Sequence, residues 1–279
     1  MEKTQRLLEL LGHDETPFGI FYSDEKPDGY GPKPGEIFSR EREMAGEIDW
    51  RKAFGNFSCL FGNIWLARKK KKAAWISHEE CGCMGGGYYS GVYGPYLDMN
   101  VMFVSTGVPG TNMEGEHFMP SPESMRAFMD ACALPPGNGK YCVIKPLEQF
   151  FGMERPLVVV FFARPEVLTG LNSLAIYTVG RHDAVIAPFG ANCTNIIAWP
   201  LVYERQGVER AVLGGLDPSA RKFMKTDEMS FAVPLELYRK MLDNMETSAL
   251  TRHTWEGVRK KVARSIRAWN AGKSAADSS

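Results

Sequence analysis

Four cysteines lie beside glycines or at predicted helix starts, where their side chains could do chemistry. They are Cys59, Cys81, Cys83 and Cys193. Free backbone N–H groups at a helix N-terminus lower the pKa of a nearby thiol, and a thiolate is both a nucleophile and a soft metal ligand. This placement predicts a site that binds zinc, copper(I) or an iron–sulfur cluster, with a redox-related role. Cys59, Cys83 and Cys193 would be its ligands, and Cys81 could be a fourth.

Two other interpretations of the same cysteines stay open. Buried cysteine commonly behaves as a small apolar residue, and the chain has no pair of C-x-x-C motifs of the kind that zinc sites use. One of the cysteines could instead be a catalytic or redox thiol. Cys132, on the apolar side of a predicted helix, and Cys142, inside a predicted strand, are predicted to be core residues.

A glycine-rich turn follows Cys83 and suggests a second kind of site. The backbone amides of Gly85, Gly86 and Gly87 could cradle an anion, and Arg221 could hold a carboxylate or phosphate with two hydrogen bonds. The turn lacks the Gly-Lys-Ser/Thr ending of a phosphate loop, so a purely structural turn and a surface ion pair are the alternatives. With a reactive cysteine, these residues would make a small-molecule enzyme.

Composition narrows the classes of function. The chain has 279 residues, with 33 basic residues balancing 33 acidic ones, so no net charge draws it to nucleic acid or an anionic membrane. The basic run from Arg68 to Lys72 is predicted to be a solvated helix end. The polar N-terminus does not resemble a signal peptide, and no apolar stretch approaches the roughly 20 residues of a membrane span. We therefore predict a cytoplasmic protein with reduced thiols and no membrane partner.

The periodicity of apolar residues predicts an α+β protein with a mixed central sheet and helices packed on it. The chain is predicted to form a single domain over residues 1–272, with a disordered tail over 273–279. Predicted strands are Phe18–Tyr22, Ala73–Ile76, Val101–Val104, Tyr141–Lys145, Leu157–Phe162, Ala184–Pro188, Ala211–Leu213 and Ser230–Val233. The strand ending at Phe162 is apolar on both faces and is predicted to be central.

The last predicted helix carries Trp255, Val258, Val262, Ile266 and Trp269 at helical spacing, with basic residues between them. This apolar stripe could pack on the domain itself or on a partner chain, including a second copy.

The order of the motifs along the chain resembles the uncharacterised ArCR family (domain of unknown function 169). The likeness extends from about Leu8 to Leu242. It rests on four short motifs: Phe57-Ser58-Cys59 before a helix ending in Ala67-Arg68, then Cys83-Met84-Gly85-Gly86, then the Val158–Phe162 strand with Arg164-Pro165-Glu166, and finally Cys193 with Gly214-Gly215, Arg221 and Phe231–Pro234. The resemblance implies a cytosolic protein of prokaryotic type and supplies no activity.

Overall fold

The computed structural model describes residues 1–132, 134 and 136–276, and for residues 271–276 it describes the backbone alone. Within these residues, eight strands form one sheet in the order β2-β3-β4-β1-β5-β8-β7-β6. The strands are β1 (Phe18–Ser23), β2 (Gly29–Tyr30), β3 (Ala73–Ser77), β4 (Tyr141–Pro146), β5 (Val158–Ala163), β6 (Val185–Ile186), β7 (Ala211–Gly214) and β8 (Met229–Pro234).

Helices cover both faces of this sheet. They are α1 (Glu2–Leu11), α2 (Arg40–Met44), α3 (Trp50–Gly55), α4 (Leu60–Lys70), α5 (Met84–Tyr89), α6 (Asp98–Val104), α7 (Pro122–Ala131), α8 (Pro165–Val179), α9 (Trp199–Arg205), α10 (Leu235–Asn244) and α11 (His253–Ala276). The β2–β3 and β6–β7 pairs are parallel and the remaining pairs are antiparallel. The predicted α+β class with a mixed central sheet is confirmed.

Strand β5 divides the core between the two faces of the sheet, as its uninterrupted apolar sequence predicts. Val158, Val160 and Phe162 point to one side and pack in the cluster that includes residues of α4, α5 and α7. Val159 and Phe161 point to the other side and pack in the cluster under α1, α8 and α10. Because side chains alternate along a strand, one strand with no polar residue supplies both clusters.

One predicted strand is wrong. Val101–Val104 belongs to helix α6, not to the sheet. A residue outside α6 caps its N-terminus. The backbone N–H groups of Asp98 and Met99 each donate to one carboxylate oxygen of Glu43, at 2.8 Å. A carboxylate placed on two free N–H groups at a helix start stabilises the helix. The partner lies in α2, far from α6 in sequence, so no local pattern indicates it.

Arg68 ties α4 to two other parts of the chain. Its guanidinium forms ion pairs with Glu228 at 2.6 Å and Glu15 at 2.7 Å, and it lies 4.0 Å from the ring centre of Phe162. The side chains of Arg68 and Glu228 are only 8% and 2% exposed. The predicted solvated helix end is therefore wrong for Arg68, although the four lysines that follow it are exposed.

The first turn of helix α11 packs against α1. The Trp255 side chain is buried, and its Nε1 donates to the Leu10 carbonyl at 3.0 Å. Farther along, Ile266 and Trp269 are exposed. The helix continues through Ala276, into the segment predicted to be a tail, and residues 277–279 lie outside the described residues. No helix in the described chain combines the length and apolarity that crossing a membrane requires.

Candidate functional site

A cavity of about 600 Å³ lies on the side of the sheet covered by α4, α5 and α7. Its wall comes from stretches of chain far apart in sequence, within residues 38–61, 82–89, 100–128, 189–193 and 217–223. Ten aromatic side chains line it: Phe38, Phe54, Phe57, Phe61, Tyr89, Phe103, Phe118, Phe128, Phe189 and Phe223. Phe57 and Phe189 are also exposed on the molecular surface. An apolar molecule therefore meets aromatic side chains from the surface inward.

Three of the four predicted site cysteines meet in this wall. Cys59 immediately precedes α4, Cys83 immediately precedes α5, and Cys193 precedes a π-helical turn over Thr194–Ala198. They are close enough that charge on Cys59 or Cys83 would raise the pKa of Cys193. Each thiol thus comes from the start of a different helical segment. The fold brings together Cys59 and Cys193, which are 134 residues apart in the sequence.

The protonation of these thiols differs from the expectation. Burial is the largest influence on Cys59, Cys83 and Cys193, and it raises the pKa of all three above the ordinary thiol value. Backbone N–H groups at the helix starts act in the opposite direction, including the Gly86 N–H, which donates to the Cys83 Sγ at 3.3 Å. Desolvation outweighs them because the cavity is apolar. The resting thiols are therefore neutral.

The fourth predicted ligand lies apart from the cavity wall. Cys81 is buried, and its Sγ donates to the Cys83 carbonyl at 3.1 Å. Cys132 and Cys142 are fully buried, which confirms them as core residues. Throughout the described ranges, no three His, Cys, Asp or Glu side chains form a group that could hold a metal ion.

The glycine turn forms the start of α5, and most of its amides have partners inside the helix. The Gly87 N–H donates to the Cys83 carbonyl at 2.9 Å, beside the Gly86 bond to Sγ already described. A Cβ on Gly87 would lie 2.6 Å from the Cys81 Sγ, so only glycine fits there. Gly85 differs, because a Cβ there would meet its nearest neighbours at 3.9 Å and beyond, at the cavity wall.

Arg221 lies outside the cavity wall and holds a loop together. Its guanidinium donates to four backbone carbonyls, those of Gly215, Lys225, Thr226 and Glu228, at 2.7–3.1 Å. These bonds fasten the segment that carries residues 217–223 of the wall. The geometry gives Arg221 a positioning role in this loop.

The wall also contains linked polar residues that the sequence motifs do not predict as a site. The Ser219 Oγ donates to Glu116 Oε1 at 2.7 Å, and its backbone N–H donates to Asp217 Oδ1 at 2.9 Å. The Asn192 N–H donates to Asp217 Oδ2 at 3.2 Å. Burial, with the charge of Asp217, raises the pKa of Glu116 above its ordinary value, although the Ser219 hydrogen bond opposes this.

The spacing Asp217-Pro218-Ser219 is a local sign of a helix start and could have identified Asp217 as its cap. No comparable sign exists for Glu116, whose partner Ser219 is 103 residues away.

Comparison with known proteins gives one match. The sequence model of the uncharacterised ArCR family (domain of unknown function 169) matches residues 6–244. The chain belongs to the ArCR family. Neither the curated proteins nor the solved structures include a match to it.

The family match covers every residue of the cavity wall in this ArCR protein, since the wall extends only from residue 38 to residue 223. Helix α11 begins at His253 and lies beyond the match. The described wall of the cavity, with its three cysteines, therefore lies in the ArCR part of the chain.

Proposed function

We propose that the protein binds a small organic molecule with a largely apolar body, and that Cys59, Cys83 and Cys193 face this molecule across the cavity. The observation that carries the proposal is the cavity itself, with aromatic walls and three thiols from separate segments. Its volume of about 600 Å³ lies within the range of small-molecule sites, which are mostly apolar with a few placed polar groups. Reduced thiols suit the cytoplasmic location that we also propose.

Catalysis by one of these cysteines is a further part of the proposal. A neutral thiol is a poor nucleophile, so reaction would require a base or a ligand that lowers the thiol pKa on binding. Cys59 and Cys83 are partly exposed whereas Cys193 is buried, so the first two are the accessible thiols. Binding is the primary function, and any reaction depends on what the bound molecule does to these pKa values.

A cavity-filling substitution tests the proposal. Gly85→Leu places a side chain where the wall has room, and it is expected to weaken binding of the neutral apolar dye Nile red by about tenfold or more, that is about 1.4 kcal/mol. Fluorescence titration of the folded protein measures this. Gly55→Leu is the matched control, because Gly55 is also helical with nothing within 4 Å of its Cβ position, and it lies outside the wall. Equal affinity in the two variants would place the dye elsewhere and contradict the proposal.

A second candidate function is binding of an iron–sulfur cluster through the same three cysteines. The observation that favours it is that each thiol stands at the start of a helical segment, where N–H groups support negative charge on sulfur. Ligands of a cluster stand farther apart than ligands of a single ion, because iron and sulfide atoms lie between them. In the described residues no group of side chains could hold a single metal ion, and this argues against zinc or copper(I) more strongly than against a cluster. Binding would also deprotonate the thiols.

Elemental analysis of anaerobically purified protein tests this candidate. Iron and acid-labile sulfide are expected in stoichiometric amounts, with a marked loss in Cys83→Ser, since an alcohol is a poor soft-metal ligand. Cys132→Ser is the control, because Cys132 is buried outside the wall. Zinc and copper are measured alongside, to cover the single-ion alternatives. Background levels of all four elements would exclude the thiolate site.

A further inference from the structure

We propose that the molecule bound in the cavity is an organic cation, with an apolar body and a protonated amino group that Glu116 recognises. This inference rests on the proposed binding function and adds the chemical class of the ligand. It follows from which polar atoms the wall presents.

The polar wall residues linked to Asp217 present mainly hydrogen-bond acceptors, whereas Asn100, also in the wall, has a buried Nδ2 donor without a partner in the described residues. Asp217 already accepts one backbone N–H on each carboxylate oxygen, which fixes its position. Among the described residues, Glu116 accepts one hydrogen bond, from Ser219, on Oε1. Asn192 is only 1% exposed, and in the described residues its Oδ1 has no hydrogen-bond partner. A buried acceptor without a donor is costly, so a donating ligand group is favoured at this end of the cavity.

The charges of the wall point the same way. Glu116 and Asp217 are acidic, and the one basic residue in the described wall is Lys222. Lys222 is exposed, and its Nζ lies 5.2 Å from the ring centre of Phe223. The two carboxyl groups outnumber the one exposed ammonium group, so the described wall favours a cation over a carboxylate or phosphate of the same size.

Aromatic rings belong to the same wall as Glu116. Phe118, two residues after Glu116, has its ring centre 6.1 Å from that of Phe189, and Phe128 is 5.7 Å from Phe189. All three rings belong to the wall. The faces of aromatic rings attract ammonium groups, and the attraction is greater where water is excluded. Carboxylate and rings together therefore fit an amine better than a neutral alcohol.

Three probes that share one ring system test the inference by isothermal titration calorimetry on the full chain. They are naphthylmethylamine, naphthalenemethanol and naphthoate. The amine is expected to bind most tightly, by about tenfold over the alcohol, and naphthoate most weakly. Glu116→Gln keeps a hydrogen-bonding side chain of the same size, and it is expected to weaken only the amine, to near the affinity of the alcohol. Glu114→Gln, in the same loop but exposed and outside the wall, is expected to change none of the three.

The outcomes separate this inference from the proposed function. Equal affinities, or tightest binding of naphthoate, would overturn the organic-cation assignment and leave an apolar binding cavity. So would an amine affinity that Glu116→Gln does not change. Failure of the amine to bind a protein that still binds Nile red would also overturn the assignment alone. If Nile red fails as well, the proposed function is overturned together with it.

Discussion

Replacing Arg68 with methionine is expected to lower the free energy of unfolding by about 3–5 kcal/mol. The substitution leaves the carboxylate of Glu228, whose side chain is 2% exposed, buried without its main partner. It also removes the contact between the guanidinium and the Phe162 ring, whose centre is 4.0 Å away. Phe162 belongs to the core cluster on the cavity side of the sheet. Urea denaturation followed by circular dichroism gives the midpoint and the slope from which the change is obtained.

The control for this change is Lys70→Met, because Lys70 is exposed on the same helix and should change stability by less than about 0.5 kcal/mol. Adding Glu228→Gln to Arg68→Met is expected to recover part of the loss, since it removes the unpaired buried charge. Equal losses for Lys70→Met and Arg68→Met would show that the buried ion pair does not stabilise the fold.

The same ion pair sets a pH dependence. Burial by itself would raise the pKa of Glu228, but the hydrogen bonds and charge of Arg68, with the charge of Lys225, hold it below its ordinary value. A carboxyl with a lowered folded-state pKa adds stability above its unfolded pKa of about 4.3 and loses it as pH falls through the folded pKa. The stability difference between the wild-type protein and Arg68→Met is therefore expected to shrink as pH is lowered from about 5.

Replacing Phe231 with alanine is expected to cost about 3–5 kcal/mol of stability without changing affinity for Nile red. Phe231 is fully buried, lies opposite Phe161 in the β5–β8 register, and packs in the cluster under α1, α8 and α10. That cluster is on the far side of the sheet from the cavity. Denaturation and dye titration of the same preparation, at a temperature where the variant is folded, measure the two effects separately.

Phe151→Ala serves as the comparison, since Phe151 is 72% exposed and its loss should leave both stability and dye binding almost unchanged. A Phe231→Ala protein that is folded but binds Nile red tenfold more weakly would show that the two faces of the sheet are coupled.

Much of the fold follows from local sequence. The uninterrupted apolar run of β5 correctly predicts a central strand, and the residues after Cys59 and Cys193 correctly predict helical starts. These predictions succeed because apolar periodicity is short-range and is reinforced by burial. The core assignment of Cys132 and Cys142 succeeds for the same reason.

The site was only partly predictable, because its contacts join distant segments. Nothing near Glu116 in sequence indicates that Ser219 will be its partner, and nothing near Arg68 indicates Glu228. Thiol pKa values also depend on how deeply the cavity is buried, which helix starts alone do not reveal. Arg221 shows that a residue type suited to a ligand can have a structural role instead, because its guanidinium donates to carbonyls of its own loop.

The position of β1 in the sheet has a consequence for synthesis of the chain on the ribosome. This six-residue strand pairs on one side with β4 and on the other with β5, so that Phe18 is opposite both Pro146 and Val160. At translation rates of about 5–20 residues per second, β1 waits on the order of ten seconds before either neighbour has been made. An apolar strand with both edges open is a site for aggregation during that interval. Folding of the sheet around β1 therefore waits until β4 and β5 have been made, and molecular chaperones that cover exposed nascent strands are expected to raise the yield of native protein.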